Sequence, residues 1–168
     1  MTCVAIIPAR GGSKGIPNKN LAEVNGESLV TRAINSAVQS GVVDFVVVSS
    51  DDHAILKAAK IAGAIAIERP AELASDTSAI EDAISHALQK FSEGHPTPTT
   101  LVLLQPTSPL RQASTISDAV HIFTKNGNTG CVYGVIEAEH HPYKTFIATD
   151  AGLQPVKSVE DLSRSRQE

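Results

Sequence analysis

Val4-Ala5-Ile6-Ile7-Pro8-Ala9-Arg10-Gly11-Gly12-Ser13-Lys14-Gly15-Ile16-Pro17-Asn18-Lys19-Asn20 decides how the rest of the chain is read. Residues 4–7 form a short, uninterrupted apolar run, as expected of a strand buried on both faces of a parallel sheet. Residues 8–20 are polar and rich in glycine and lysine. Glycines let the backbone approach a polyanion closely. Its amide hydrogens, with Arg10, Ser13, Lys14 and Lys19, then supply donors and positive charge. The spacing matches neither a Walker A loop nor the GxGxxG of dinucleotide binding. A phosphate loop of another type is expected.

Outward from this stretch the chain alternates strand and helix. Residues 28–40 show helical spacing, with Leu29, Ala33, Ile34, Ala37 and Val38 on one face and Gly41 as the stop. Residues 45–48 read as a second buried strand. Asp51 or Asp52 then caps a helix running to about Ala62, before Gly63. A third strand is expected at 64–67, followed by a polar loop, 68–77. Ser78 and Glu81 fit a capping box for a helix through about Phe91. A Pro/Thr/Gly loop at 94–100 leads to a fourth buried strand at 101–104. Ser114 opens a helix closed near Gly127, and 131–136 reads as a fifth strand. Residues 144–149 and 153–156 flank Asp150-Ala151-Gly152, a hairpin turn. Such alternation predicts an α/β fold of βαβ units, its mostly parallel sheet covered on both faces, in one domain over 1–168.

Composition narrows the function classes. The chain has 168 residues, 42% apolar and 19% charged, enough for one domain with a true core. A net charge of −4 gives no general basic field for nucleic acid. Cys3 and Cys131 each sit in an apolar run and read as buried free thiols, and no CxxC pair suggests zinc. The N-terminus lacks the basic region and long apolar core of a signal peptide. No apolar stretch approaches the ~20 residues a membrane span needs. A cytoplasmic protein is expected.

Ligands of open α/β sheets bind at the carboxyl ends of the strands, so the loops there carry the functional evidence. Ser49, Ser50, Asp51 and Asp52 follow the second strand, where helix capping and a nucleotide or metal contact both suit them. After the third strand, Arg69 is a donor for a base or phosphate, with Asp76 and Thr77 beyond it as capping or binding groups. Gln105-Pro106-Thr107-Ser108-Pro109 follows the fourth. Its two prolines stiffen the turn and present Gln105, Thr107 and Ser108. Arg111 reads as structural. In Glu139-His140-His141-Pro142-Tyr143-Lys144, adjacent histidines seldom reach one ion, so substrate contact or loop packing is expected. No Ser/His/Asp set or Cys/His pair supports hydrolase chemistry.

These motifs together resemble the CMP-sialic acid synthetases (N-acylneuraminate cytidylyltransferases), bacterial type. The resemblance rests on Ile7 to Ile16 with Lys19-Asn20, on Val48-Ser49-Ser50-Asp51, on Arg69-Pro70-Ala71-Glu72-Leu73-Ala74-Ser75-Asp76-Thr77 and on Leu103-Leu104-Gln105-Pro106-Thr107-Ser108-Pro109-Leu110-Arg111. The segments Glu139 to Thr145 and Arg166-Gln167-Glu168 extend it. It implies a three-layer α/β/α, Rossmann-like nucleotide-diphospho-sugar transferase fold with a C-terminal hairpin excursion. It also implies a homodimer using magnesium, with CTP and a nine-carbon sugar acid as substrates. By this resemblance Arg10 and Lys14 are catalytic. Arg10, Gly11, Gly12, Ser13, Lys14, Asn20, Arg69, Asp76 and Ser78 hold CTP, with Asn20 at the ribose and Arg69 at cytosine. Gln105, Thr107, Ser108, Lys144 and Arg166 hold the sugar acid.

The family's later segment, with a paired-aspartate motif for metal, has no match in these residues, so the expectation is a domain lacking that segment. Ala79-Ile80 stand where family members often carry serine, which leaves backbone contacts to the base there. Legionaminic or pseudaminic acid is the alternative substrate. A non-catalytic CTP-binding module is the alternative of another class.

Overall fold

The computed structural model describes residues 2–13, 15–75, 77–136, 146–149 and 152–155. It divides into two compact units, residues 1–132 and 133–168. The first is built on four parallel strands: β1 (Cys3–Pro8), β4 (Phe45–Ser50), β5 (Ile65–Glu68) and β6 (Thr100–Leu103). Their order across the sheet is β5-β4-β1-β6. The chain therefore steps outward from β1 through β4 to β5, then returns past β1 to β6. The order reverses between β1 and β6, the kind of switch point at which open α/β sheets bind ligands.

Alternation along the central strands feeds two cores. Ala5, Ile7, Val46 and Val48 face Val30, Ala33, Ile34 and Ala37 of α1 (Leu29–Gln39), Ile55 and Ala59 of α2 (His53–Ile61), and Ile116 of α4 (Ala113–Lys125). Val4, Ile6, Val47 and Ile67 face Ala87 and Phe91 of α3 (Ile80–Ser92). Strands buried on both faces need apolar residues at every position, which is why β1 and β4 read as unbroken runs. The three-layer α/β/α arrangement expected from the sequence is present.

Local signals explain most boundaries. Ser28 caps α1, its Oγ accepting from the Thr31 amide, and Gly41 follows the helix at φ 68°. Asp52, not Asp51, caps α2, accepting from the amides of Ala54 and Ile55. A short hairpin missing from the sequence reading, β2 (Glu23–Val24) with β3 (Glu27–Ser28), turns on Asn25 and Gly26. Both turn residues have positive φ, as a two-residue type I′ turn demands.

Five expectations need correction. Val38 lies on the exposed side of α1, and Val30 is the buried residue there. The capping box at Ser78 and Glu81 does not form: Ala79 is the N-cap of α3, and the Ser78 hydroxyl closes the preceding loop instead. Strand β6 is not fully buried, with Leu101 and Leu103 each 42% exposed. They share a face with Val4 and Ile6, and α3 covers that face over β1, β4 and β5 rather than β6. Residues 131–136 form no strand, and Tyr133, Val135 and Ile136 are exposed. Cys3 is buried as expected, but Cys131 is exposed.

In the second unit, β7 (Phe146–Thr149) and β8 (Gly152–Pro155) pair antiparallel, forming the expected hairpin. Among the described residues, no helix is long and apolar enough to cross a membrane.

Candidate functional site

A cleft of about 490 Å³ opens at the carboxyl ends of the strands, on the β1 and β6 side where the strand order reverses. The glycine loop contributes Arg10, Ser13 and Gly15, and Lys19 and Asn20 follow. The segment after β5 adds Arg69, Leu73, Ser75 and Ser78, and the turn after β6 adds Gln105, Pro106 and Thr107. Three loops from distant parts of the chain meet here because parallel strands all deliver their following loops to one edge.

The glycine loop is held from below by the Ser49–Asp52 segment. The Ala9 amide donates to the Ser49 carbonyl at 2.9 Å. The Gly11 amide donates to Asp51 Oδ1 at 3.0 Å. Asn20 is buried and donates from Nδ2 to the Arg10 carbonyl at 2.8 Å. The Ser13 amide returns to the Gly11 carbonyl at 2.8 Å, folding the loop tightly. Helix capping and a cleft-side role thus divide between the two aspartates. Asp52 caps α2, and Asp51 anchors the loop.

Arg10 reaches across the cleft, donating from Nη1 to the carbonyls of Ser75 at 3.0 Å and Ala74 at 3.4 Å. Opposite it, Arg69 is only 6% exposed. Its Nε donates to Ser49 Oγ at 3.0 Å and its Nη2 to the Ser49 carbonyl at 2.8 Å. Burial pulls the Arg69 pKa down, Asp51 pushes it back up, and nearby Arg10 pulls it down again. A guanidinium stays charged through such shifts. Arg10, Lys19 and Arg69 therefore give a chain of net charge −4 a locally cationic cleft, suited to a polyanion.

The far wall is also fixed. Ser78 Oγ donates to the Glu72 carbonyl at 2.7 Å and shares a hydrogen bond with Ser75 Oγ at 2.6 Å. Arg111 donates from Nη2 to the Gln105 carbonyl at 2.9 Å. Arg32 of α1 donates from Nε to the Pro109 carbonyl at 3.1 Å and from Nη1 to the Val24 carbonyl at 3.3 Å. Arg111 has the structural place expected of it, and burial lowers its pKa.

Of the residues singled out from the sequence, Arg10, Ser13, Asn20, Arg69, Ser78, Gln105 and Thr107 line the cleft. Gly11 and Gly12 form the loop behind it, and Ser108 lies in the same turn as Thr107 but off the lining. Lys14, Asp76, Lys144, Arg166 and the His140-His141 pair lie outside the described residues. Ala79 and Ile80, expected to offer only backbone contacts, also line the cleft, whereas sequence reading did not find the cleft-lining Leu73 and Ser75 as site residues. These two carry no chemical signature of their own, and only the closing of residues 70–75 against Arg10 of the glycine loop reveals them. Among the described residues, no three His, Cys, Asp or Glu side chains are grouped to hold a metal.

A locally cationic cleft at the switch point of a parallel α/β sheet lies where folds of this kind take their ligands, and the fold itself has solved counterparts. The solved structure of CMP:2-keto-3-deoxy-manno-octonic acid synthetase complexed with CTP matches with a TM-score of 0.65, at 22% identity, over 76% of this chain and 49% of that one. The cytidylyltransferase family model matches residues 4–165, and the chain belongs to that family. The N-acylneuraminate cytidylyltransferase of Escherichia coli O18:K1:H7 is 36% identical over 132 residues, 79% of this chain and 30% of that protein. The CMP-N,N'-diacetyllegionaminic acid synthase of Legionella pneumophila is 38% identical over 130 residues, 77% of this chain and 56% of that protein. The chain thus spans less than two thirds of the length of either relative.

Proposed function

We propose that this chain supplies the nucleotide-binding and transfer cleft of a cytidylyltransferase joining CTP to N-acetylneuraminic acid, with release of pyrophosphate. The observation that carries the reading is the meeting of Arg10, Ser13, Arg69, Ser78 and Gln105 around one cleft, in a chain of the cytidylyltransferase family. The anomeric hydroxyl oxygen of the sugar acid bonds to the α-phosphorus of CTP, and the bond from that phosphorus to the pyrophosphate oxygen breaks. The hydroxyl proton passes to solvent or a nearby base.

In this reading the protein positions the reactants and stabilises developing charge. Arg10 and Lys14 meet the charge that builds on the departing pyrophosphate. Backbone amides near Gly12 and the hydroxyl of Ser13 orient the phosphates, while Gly11 serves as the loop's anchor. Asn20 stands toward the ribose. Arg69 and the backbone around Ser78, with Asp76, take the cytosine end, and Gln105, Thr107, Ser108, Lys144 and Arg166 take the sugar acid. The described residues do not form a metal cage by themselves. Magnesium is proposed as a companion of CTP, since this ion is commonly held by substrate phosphates with few protein ligands. A homodimer and a cytoplasmic setting belong to the same proposal.

A second reading, a legionaminic acid substrate, is favoured by the Legionella relative, whose identity of 38% slightly exceeds the 36% of the sialic acid enzyme. Pyrophosphate release from CTP, assayed with N-acetylneuraminic, legionaminic and pseudaminic acids, tests both. Release with N-acetylneuraminic acid supports the first reading, and release only with another acid replaces it. CTP binding without release from this chain or a C-terminally extended one favours a non-catalytic CTP-binding module.

A further inference from the structure

Ser49 is the penultimate residue of the interior strand β4, and its side chain is wholly buried. A buried hydroxyl needs a partner, and this one accepts from Arg69 Nε while the carbonyl of the same residue accepts from Arg69 Nη2. One residue thus grips an entire edge of the guanidinium. That same carbonyl also receives the Ala9 amide at the start of the glycine loop. The guanidinium is a rigid planar fork, so fixing its Nε–Nη2 edge sets the direction of Nη1. Nη1 has no hydrogen-bond partner among the described residues, and Arg69 lines the cleft.

We propose that Ser49 is a positioning residue that aims Arg69 Nη1 at the bound nucleotide. This assignment rests on the CTP-binding reading above. It separates Ser49 from its neighbour Ser50, equally buried, whose hydroxyl accepts from the Asp52 amide at 3.1 Å and does not meet Arg69.

The test is calorimetric titration of CTP into the wild-type chain, Ser49→Ala, Arg69→Lys, the double variant and Ser50→Ala, with a thermal melt of each. Ser49→Ala should weaken CTP binding roughly 10-fold, the order expected when a charged group loses one directed partner. Arg69→Lys should weaken it further, because an ammonium cannot bridge Ser49 and the ligand together. The double variant should bind no more weakly than Arg69→Lys alone, the mark of two residues acting as a unit. Ser50→Ala should retain affinity within about 2-fold, since a partner lost away from Arg69 leaves Nη1 aimed. Losses that multiply in the double variant, or equal affinity of Ser49→Ala and wild type, overturn the assignment alone. A wild-type chain that binds no CTP overturns the functional reading and this assignment with it.

Discussion

Gly11 and Asp52 stand so close that a Cβ on Gly11 would lie 2.9 Å from both Asp52 Cβ and Asp52 Oδ2. The clash involves the base of a side chain already tied into the α2 cap, so nothing can swing away cheaply. At Gly12 and Gly15, by contrast, an added Cβ meets nothing within 4 Å. Gly11→Ala should therefore push the glycine loop off its seat. The expected cost is about 1–3 kcal/mol of stability by overpacking, with CTP affinity lowered at least 10-fold. Gly12→Ala should melt within about 0.5 kcal/mol of wild type, as surface changes usually do. Denaturant unfolding and CTP titration of the pair check this contrast.

Asp52 makes a second, separable contribution. Its Oδ1 accepts from the Ala54 amide at 2.7 Å and the Ile55 amide at 3.2 Å. Asp52→Ala should lose about 1 kcal/mol, the usual value of an N-cap, while Asp52→Asn should keep most of it. Thermal melts of the two variants decide whether the carboxylate acts as a cap.

Arg32 joins α1 to two other elements: the Pro109 turn, and the β2–β3 hairpin through the Val24 carbonyl and Glu27 at 3.4 Å. Glu27 in turn accepts from Asn35. Arg32→Ala should cost about 1–3 kcal/mol, because carbonyls paired with a cation lose their donor in a part-buried site. Arg32→Lys should recover little, since one ammonium cannot reproduce a fork with separate Nε and Nη1 partners. If the Gln105 turn serves the sugar acid, KM for the sugar should rise in both variants more than KM for CTP.

The two thiols should differ in reactivity. Cys131 is exposed, and Cys3 is buried beside Asp44, so burial first and the carboxylate second raise the Cys3 pKa. The native chain should release one thiol rapidly to a disulfide reagent, and the denatured chain two. Because the folded state holds the Cys3 proton more tightly than the unfolded one, this group stabilises the fold fully below the thiol's ordinary pKa of about 8.5. That contribution falls away as pH rises through the ordinary value toward the raised one. Unfolding of wild type and Cys3→Ala between pH 7 and 10 should show the wild-type slope flattened in the variant.

The chain's fold was legible where burial leaves chemical traces. Residues 4–7 and 45–48 are apolar at every position because helices cover both faces of β1 and β4. The same logic failed at β6, whose Leu101 and Leu103 are equally apolar but lie beyond the reach of α3. It failed again at 131–136, where an apolar run forms no strand. The Asn25-Gly26 pair was a readable hairpin signal obscured by strands of two residues each. At the site, cationic and glycine-rich residues announced themselves, but their wiring did not. That Asp51 serves Gly11 while Asp52 serves α2, and that Ser49 rather than Ser50 holds Arg69, depends on the opposite directions in which adjacent side chains of one type point. No residue-type pattern separates such neighbours.

The most direct test of the central claim, that this cleft takes CTP, is amide hydrogen exchange with and without CTP and magnesium. Protection should rise in 9–20, 69–80 and 104–107, the three stretches that line the cleft, and leave 53–60 and 113–125 unchanged. Absent protection, or protection centred instead on the smaller hollow lined by His53, Lys57, Lys60 and Glu68, would contradict the claim.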